Sequence, residues 1–345
     1  MGVFMGGRTT GQPAFLSQHG PGRFQILATV ARRVPWAARR RMIGGGHRRS
    51  LGGTRMSIMQ TVLRSSHFMV IDHICKYPRV DCGYVQGGES ARFLFTRRGS
   101  FAMHAQGKTY FARPGQAILL QKNVEYYVSH PDAVGCDCCT DVLVDDAMLD
   151  SLGMAVAATQ PCQEFAHDLQ FQKTHVEMLL GLQHSANDAQ DAEEVLLDTL
   201  DHLLHSQAST RPHPRCAGMA RQVARVEEAI IGHTGENLSI DELAKLAGCS
   251  PFHLCRIFRS STGQSLRQFR LQQRLGTAVG RLGEGEEDLA ALACDVGFSS
   301  HSHMTDAFRL ALGKSPRELR EELRHSDLRR LKRRLYAERR APMLM

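Results

Sequence analysis

Nowhere does the sequence run to the roughly 18 consecutive apolar residues that a membrane-spanning helix requires, so no membrane partner is expected. The first 56 residues hold ten arginines but no lysine, aspartate or glutamate, and they lack the continuous apolar segment of a secretory signal. Arg32-Arg33, Arg39-Arg40-Arg41 and Arg48-Arg49 alternate there with glycine, in a composition shared with organelle transit peptides. This stretch reads as a disordered basic extension, or as residues upstream of a true start at Met56 or Met59. With no signal peptide, ten cysteines in 345 residues fit a reducing cytoplasm better than a disulfide scaffold. A content of 42% apolar and 23% charged residues excludes collagen, a coiled-coil rod and wholesale disorder, and it suffices for two domains.

The net charge of +8 conceals a division along the chain. Residues 1–56 carry +10, residues 57–214 carry 11 basic against 19 acidic side chains, and residues 215–345 carry 22 against 16. The acidic middle therefore has an electrostatic reason to dock on the basic C-terminal part, as an off state.

From about 60 to 150 the pattern has a short period. Phe93 and Phe95, then Phe101 and Met103, alternate with other residues around Arg98-Gly99, and Gln106-Gly107 and Pro114-Gly115 supply further turns. Residues 116–120, 124–129 and 135–144 read as more strands, so a small antiparallel barrel or sandwich is expected over 57–150. Beyond Pro161 the period becomes helical. Leu196, Leu197, Leu200, Leu203 and Leu204 form an apolar stripe opposite Asp198, Asp201 and His202, and the helical segment 151–210 needs a partner surface for it. Arg211-Pro-His-Pro-Arg215 breaks regular structure and marks a linker at 211–216. Helical patterning resumes with Met219, Val223, Val226 and Ile230, continues to about 325, and leads into a basic tail, 326–345, that reads as a DNA-attracting or simply solvated helix. The expected class is α+β, with a β-barrel half followed by an all-α half.

One internal repeat stands out in the all-α half. His253, Leu254, Phe258, Arg259, Gly263, Ser265 and Arg270 recur 50 residues later as His303, Met304, Phe308, Arg309, Gly313, Ser315 and Arg320. Upstream, Leu243, Ala244 and Gly248 recur 49 residues later as Leu292, Ala293 and Gly297. Each copy spells helix, tight turn, helix. Ser239-Ile-Asp-Glu242, Ser265-Leu-Arg-Gln268 and Ser315-Pro-Arg-Glu318 are capping boxes, and Ser250 followed by Pro251, like Ser300, can start a second helix. The leading helices should bury Leu243, Leu246 and Ala247, or Leu289, Leu292 and Val296. Their partners are Leu254, Ile257 and Phe258, or Met304, Ala307 and Phe308. What stays outward on the second helices is small, polar or basic, as a helix entering the major groove requires. Leu271, Leu275, Ala278 and Leu282 mark one long helix between the copies, able to place two readers about one DNA turn, roughly 34 Å, apart.

These residues resemble the AraC/XylS transcription regulators. The likeness rests on residues 240–259 with Gly263, and above all on Val296-Gly-Phe-Ser-Ser-His-Ser-His-Met-Thr-Asp-Ala-Phe-Arg309 with Gly313-Lys-Ser-Pro-Arg-Glu-Leu-Arg320. It covers about residues 217–325 and implies a paired helix-turn-helix domain that binds double-stranded promoter DNA, with RNA polymerase as a further partner. It places the DNA-facing positions at Phe252, Cys255 and Arg256 in the first reader and at His301, Ser302, Thr305 and Asp306 in the second. His253, Arg259, Ser300 and Arg309 complete the set, whereas Arg270 and Arg320 lie beyond the readers. Cys255 cannot make a bidentate base contact, and Asp306 repels phosphate unless it accepts from a cytosine amine, so the second reader is expected to be weaker or differently specific.

The resemblance further implies a cupin-like barrel that binds a small-molecule effector, and a homodimer paired through the helices of 160–205. Phe93, Phe95, Tyr110 and Tyr126 are the candidate effector contacts, or else plain core. A metal enzyme on such a barrel needs paired histidines with a carboxylate, whereas His104 and His130 stand alone in this region, so no metal, cofactor or catalytic residue is assigned. Strand alternation puts Cys136 and Cys138 on one face and Cys139 on the other, and the three cannot converge without a bulge. The competing class is a thiol-dependent enzyme of the DNA-repair alkyl-acceptor type on a helix-turn-helix carrier, with Cys162 as the candidate nucleophile.

Overall fold

The computed structural model of the chain describes residues 57–75, 84–85, 88–130, 137–154, 161–184, 189–205 and 217–340. The arginine-rich extension, Cys82, Cys136, the proposed linker and the end of the basic tail lie outside the described residues.

Strands come first: β1 (Ser57–Arg64), β2 (Phe68–Cys75), β3 (Tyr84–Val85), β4 (Ala91–Arg98), β5 (Phe101–Ala105), β6 (Lys108–Ala112), β7 (Gln116–Leu120), β8 (Tyr126–Ser129) and β9 (Asp137–Val144). Helix α1 (Asp146–Ser151), strand β10 (Cys162–Ala166) and helices α2 (Leu169–His184) and α3 (Ala189–His205) follow. Two antiparallel sheets result, one in the order β1-β2-β9-β4-β7-β10 and one in the order β3-β8-β5-β6. Among the described residues neither sheet closes on itself, so the expected barrel is an open sandwich. β10 is a further departure from the helical reading of its region: its residues pair with β7 in an unbroken register from Cys162–Leu120 to Ala166–Gln116. Partners fixed elsewhere in the chain override the local period here.

Strand alternation explains how the larger sheet is buried on both sides. Ala91, Phe93 and Phe95, with Phe165 of the same sheet, face a layer of helices, where they meet Phe171, Met178, Leu196 and Leu200. Leu94, Ile118, Leu120, Cys139 and Cys162 face the smaller sheet and pack on Phe101, Met103, Tyr110 and Tyr126. β9 is buried at every residue, as a central strand covered on both faces should be.

The all-α half comprises α4 (Ala217–Gly232), α5 (Ile240–Ala247), α6 (Pro251–Thr262), α7 (Leu266–Gly283), α8 (Leu289–Asp295), α9 (His301–Leu312), α10 (Pro316–Arg324) and α11 (Leu328–Arg340). Helix α7 lies against β4 so closely that a Cβ at Gly280 would sit 2.4 Å from the Arg97 carbonyl oxygen, and one at Gly276 would sit 2.9 Å from Pro114 Cβ. Gln273 donates to the Pro114 carbonyl at 3.1 Å and Gln272 to that of His167 at 3.2 Å. Arg98–Glu284 (3.1 Å), Arg113–Glu227 (3.2 Å) and Lys173–Glu322 (3.2 Å) join the halves, and in each the strand-rich half gives the cation. That polarity is the reverse of what the segment charges suggest.

The basic tail supplies the opposite polarity. Lys332 pairs with Asp191 and Glu194 of α3 at 2.6 and 2.7 Å, and Leu328, Leu331 and Leu335 of α11 enter the core beneath α3. The leucine stripe of α3 therefore finds its partner in the chain's own sheet and last helix: Leu196, Leu200 and Leu203 are fully buried there. Among the described residues, no helix is long and apolar enough to cross a membrane.

Two imidazoles lie wholly buried at this junction. Burial pushes His167 down to about 4 and His175 well below its ordinary value. Both are neutral in the folded chain and gain a proton on unfolding once the pH falls below about 6.5. Stability is thus full above that pH and is lost as it falls, by about 1.4 kcal/mol per pH unit for each histidine. Denaturant titrations at neutral pH and at about pH 5.5 should show a loss roughly 1 kcal/mol smaller in His167→Gln than in the wild type; equal losses would mean that His167 already carries its proton when folded.

Candidate nucleic-acid interface

Local chemistry starts and stops every helix of the repeat. Ser239, Ser265 and Ser315 accept from the backbone N–H of Glu242, Gln268 and Glu318, whose side chains reach back to the serine N–H at 2.7, 2.9 and 2.7 Å. All three expected capping boxes are present. Ser250 and Ser300 cap the two second helices by accepting from His253 and His303 at 3.3 and 3.1 Å. The turns between first and second helices pass through Gly248 and Gly297 at φ 66° and 88°, a region that favours glycine.

Each unit closes over its own core. Leu243, Ala244 and Ala247 meet Leu254, Ile257 and Phe258 in the first; Leu292, Ala293 and Val296 meet Met304 and Phe308 in the second. Leu246 departs from expectation, with 49% of its surface exposed. Its repeat counterpart is the exposed Asp295, and both sit on the flank of the leading helix rather than on its inner face. Leu289 and Ala307 are half-buried.

Those cores leave the outer faces of α6 and α9 uncovered. Phe252 is 81% exposed at the start of α6, and Cys255, Arg256 and Arg259 are exposed along it, with His253 half-buried. On α9, His301, Ser302, Asp306 and Arg309 are exposed, as is the capping Ser300, while Thr305 is half-buried and turns its hydroxyl back to the His301 carbonyl at 2.9 Å. All eleven expected reader residues thus fall on two helical faces. Docking of the strand-rich half leaves both faces open, so it does not act by covering them. α6 carries two arginines and no acid, whereas α9 carries Asp306 beside Arg309, and the first face is the more attractive to phosphate.

Residues missed in the sequence hold the two units together. Arg274 of α7 reaches the carbonyls of Thr234 and Glu236 at 3.3 and 3.1 Å and Asn237 Oδ1 at 2.8 Å, tying the loop after α4 to the helix. A Cβ at Gly235 would lie 2.5 Å from the Asp295 carbonyl, and one at Gly297 would lie 2.7 Å from that of Thr234, so the first unit's loop abuts the second unit's turn. An arginine inside the α7 apolar stripe was the available signal. Arg270 and Arg320, equivalent in the repeat, do equivalent work: Arg270 donates to the Leu238 carbonyl at 2.7 Å and Arg320 to that of Glu287 at 2.7 Å, each just before a leading helix.

In the strand-rich half the four candidate effector contacts divide between two interiors. Phe93 and Phe95 belong to the sheet–helix core, Tyr110 and Tyr126 to the layer between the sheets. Arg92 enters that second layer, with Nη1 3.3 Å from both the Tyr126 hydroxyl and Asp141 Oδ2. Cys138 and Cys139 lie on opposite faces of β9, as alternation requires; burial pushes Cys138 up to about 12 and Cys139 well above the usual thiol range. His104 stacks on Tyr127 and bonds Thr109 and Ser129. His130 is not the solitary histidine of the sequence reading, because Asp137 and Cys75 stand beside it.

Comparison with known proteins bears on the same region. A helix-turn-helix domain family matches residues 243–322. The chain is 33% identical over 96 residues to the regulatory protein SoxS of Salmonella typhimurium, a match spanning 28% of this chain and 90% of SoxS. It is 30% identical over 127 residues to the Msm operon regulatory protein of Streptococcus mutans, spanning 37% of this chain and 42% of that one. Against the crystal structure of ToxT from Vibrio cholerae it aligns over 75% of this chain and 98% of that one, at 12% identity and a TM-score of 0.32.

The two kinds of arginine should separate on substitution. Arg256→Ala is expected to weaken binding to a preferred duplex by about 1–3 kcal/mol and to relax its sequence preference. Arg270→Ala is expected to lower folding stability by about 1–3 kcal/mol, because a half-buried carbonyl loses a charged donor, with sequence preference retained. Titration of labelled duplexes alongside thermal unfolding distinguishes these outcomes, and an exchange of the two effects would place the reader elsewhere.

Proposed function

Because the chain belongs to the AraC/XylS family of DNA-binding transcription regulators, we propose that it reads a promoter with α6 and α9 in successive major-groove segments and that a small-molecule effector in its strand-rich half modulates that reading. One observation carries the first part: the same helix–turn–helix construction occurs twice, and both outer faces are open at once. In this reading Arg259 and Arg309 engage phosphates, while Phe252, His253, Cys255, Arg256, Ser300, His301, Ser302, Thr305 and Asp306 meet base edges or the sugar-phosphate rim. Asp306 prefers a cytosine amine, so the two half-sites differ in sequence.

The effector reading, with a cupin-like sensing half, rests on the interior between the sheets, where Tyr126 stands beside the Arg92–Asp141 pair and Tyr110 packs in the same layer. Phe93 and Phe95, on the opposite face, would back that site from the helix layer. An effector acts only through differential affinity for two arrangements of the halves. A homodimer needs a surface other than the leucine stripe of α3, which the chain itself covers. RNA polymerase is the further partner in this reading, and the cytoplasm is the compartment.

No catalytic step is part of it. The thiol-enzyme alternative requires an activated cysteine, and its candidate is the reverse: burial, with Glu164 adding to it, pushes Cys162 up to about 12.

Selection of genomic fragments by the full-length chain, followed by salt titration, tests the proposal. A preferred site of about two DNA turns with a steep salt slope is the expected result; equal binding to all fragments would reduce the interface to an electrostatic patch.

A further inference from the structure

We propose that Cys75, His130 and Asp137 form a binding site for one divalent cation of the zinc class. The three residues come from different places: Cys75 ends β2, His130 follows β8 of the smaller sheet, and Asp137 begins β9. Pairing of β2 with β9 sets Cys75 opposite Asp137, and the fold of the second sheet over the first brings His130 onto them. Their donor atoms all lie within 4.8 Å of one another. They are 2%, 6% and 3% exposed, so a cation held there would be shielded from competing solvent.

The donor set is chemically selective. One thiolate, one imidazole and one carboxylate suit zinc or cobalt(II), whereas calcium and magnesium prefer all-oxygen sites. Thiolate and carboxylate together offset the charge of a dication, which removes most of the penalty for burying it. Asp137 Oδ1 is buried and makes no well-directed hydrogen bond, although His130 Nε2 is only 2.7 Å away. Tetrahedral bonds of about 2.0–2.1 Å place a nitrogen and an oxygen donor roughly 3.3 Å apart, so the His130–Asp137 pair would part by about half an ångström around a metal. Three protein ligands leave a fourth position for water or an exogenous donor.

The place of the site in the molecule adds to its interest. Cys138, next to Asp137, accepts from Arg98 Nη2 at 3.3 Å, and the same nitrogen lies 3.1 Å from Glu284 at the end of α7. A cation at Asp137 is therefore one residue from a contact between the two halves.

Cobalt(II) titration of the reduced, metal-free full-length chain is the test. One equivalent should bind with a thiolate charge-transfer band and the visible bands of four-coordinate cobalt, and zinc should displace it. Cys75→Ser should abolish the charge-transfer band, and Asp137→Asn should keep it while weakening cobalt binding by about tenfold or more. A wild-type chain that binds no cobalt, or a band that persists in Cys75→Ser, overturns the proposal. Far-ultraviolet circular dichroism checks the fold of each variant. If Cys75→Ser does not fold, His130→Gln must shift the visible bands and weaken binding similarly, and an unchanged spectrum is then the contradicting result.

Discussion

One helix belongs to two cores. The first part of α7 delivers Phe269 against Phe258, edge to face with centroids 5.3 Å apart, and its later turns deliver Leu275, Ala278, Val279 and Leu282 to the core of the second unit. Eighteen helical residues with no glycine turn or proline between these contacts act as a strut of about 27 Å. Arg274 and the abutment of the 234–237 loop on the 295–297 turn remove the remaining freedom, so the readers face outward as one body. In the proposed reading the gain is in effective concentration: with one reader seated, the second would already be at its own groove segment, with little orientational freedom left to lose.

The other side of α7 is equally constrained. Gly276 and Gly280 let the helix approach the strand-rich half to backbone contact, and Gln272 and Gln273 satisfy carbonyls that this approach would otherwise bury unpaired. A change in the β4 region or in the turn at Pro114 therefore alters the seat of the strut. Helix α11 adds a second attachment, following directly on the second unit and inserting three leucines beneath α3. Both outer faces stay exposed beside these attachments, so in the proposed reading control works through where α7 and α11 sit. A lid over the DNA-binding surface is not what these contacts build.

Local signals were the legible ones. Serine three residues before glutamate or glutamine, proline at a first helical position and glycine at a turn each act within four residues, and the starts of α5, α6, α7 and α10 obeyed them. The exposure of nine of the eleven candidate reader residues followed from the same helical phase, with His253 and Thr305 half-buried. Features that depend on distant partners were not legible. Cys162 to Ala166 pairs as a strand because β7 offers it an edge, and the α3 stripe is covered by a helix more than a hundred residues away. The open sandwich, the division of Phe93 and Phe95 from Tyr110 and Tyr126, and the meeting of Cys75, His130 and Asp137 all depend on how one sheet folds over another. No spacing along the chain encodes that.

Rigid coupling of the two readers can be measured directly on DNA. In a selected site, insertion of about five base pairs between the two recognised segments turns the second segment to the far side of the duplex. A strut of fixed geometry predicts that affinity falls as far as it does when the second segment is scrambled outright, and that an insertion of about ten base pairs does not restore it. Affinity that is indifferent to the insertions would contradict it, because the two helices would then be finding their segments independently.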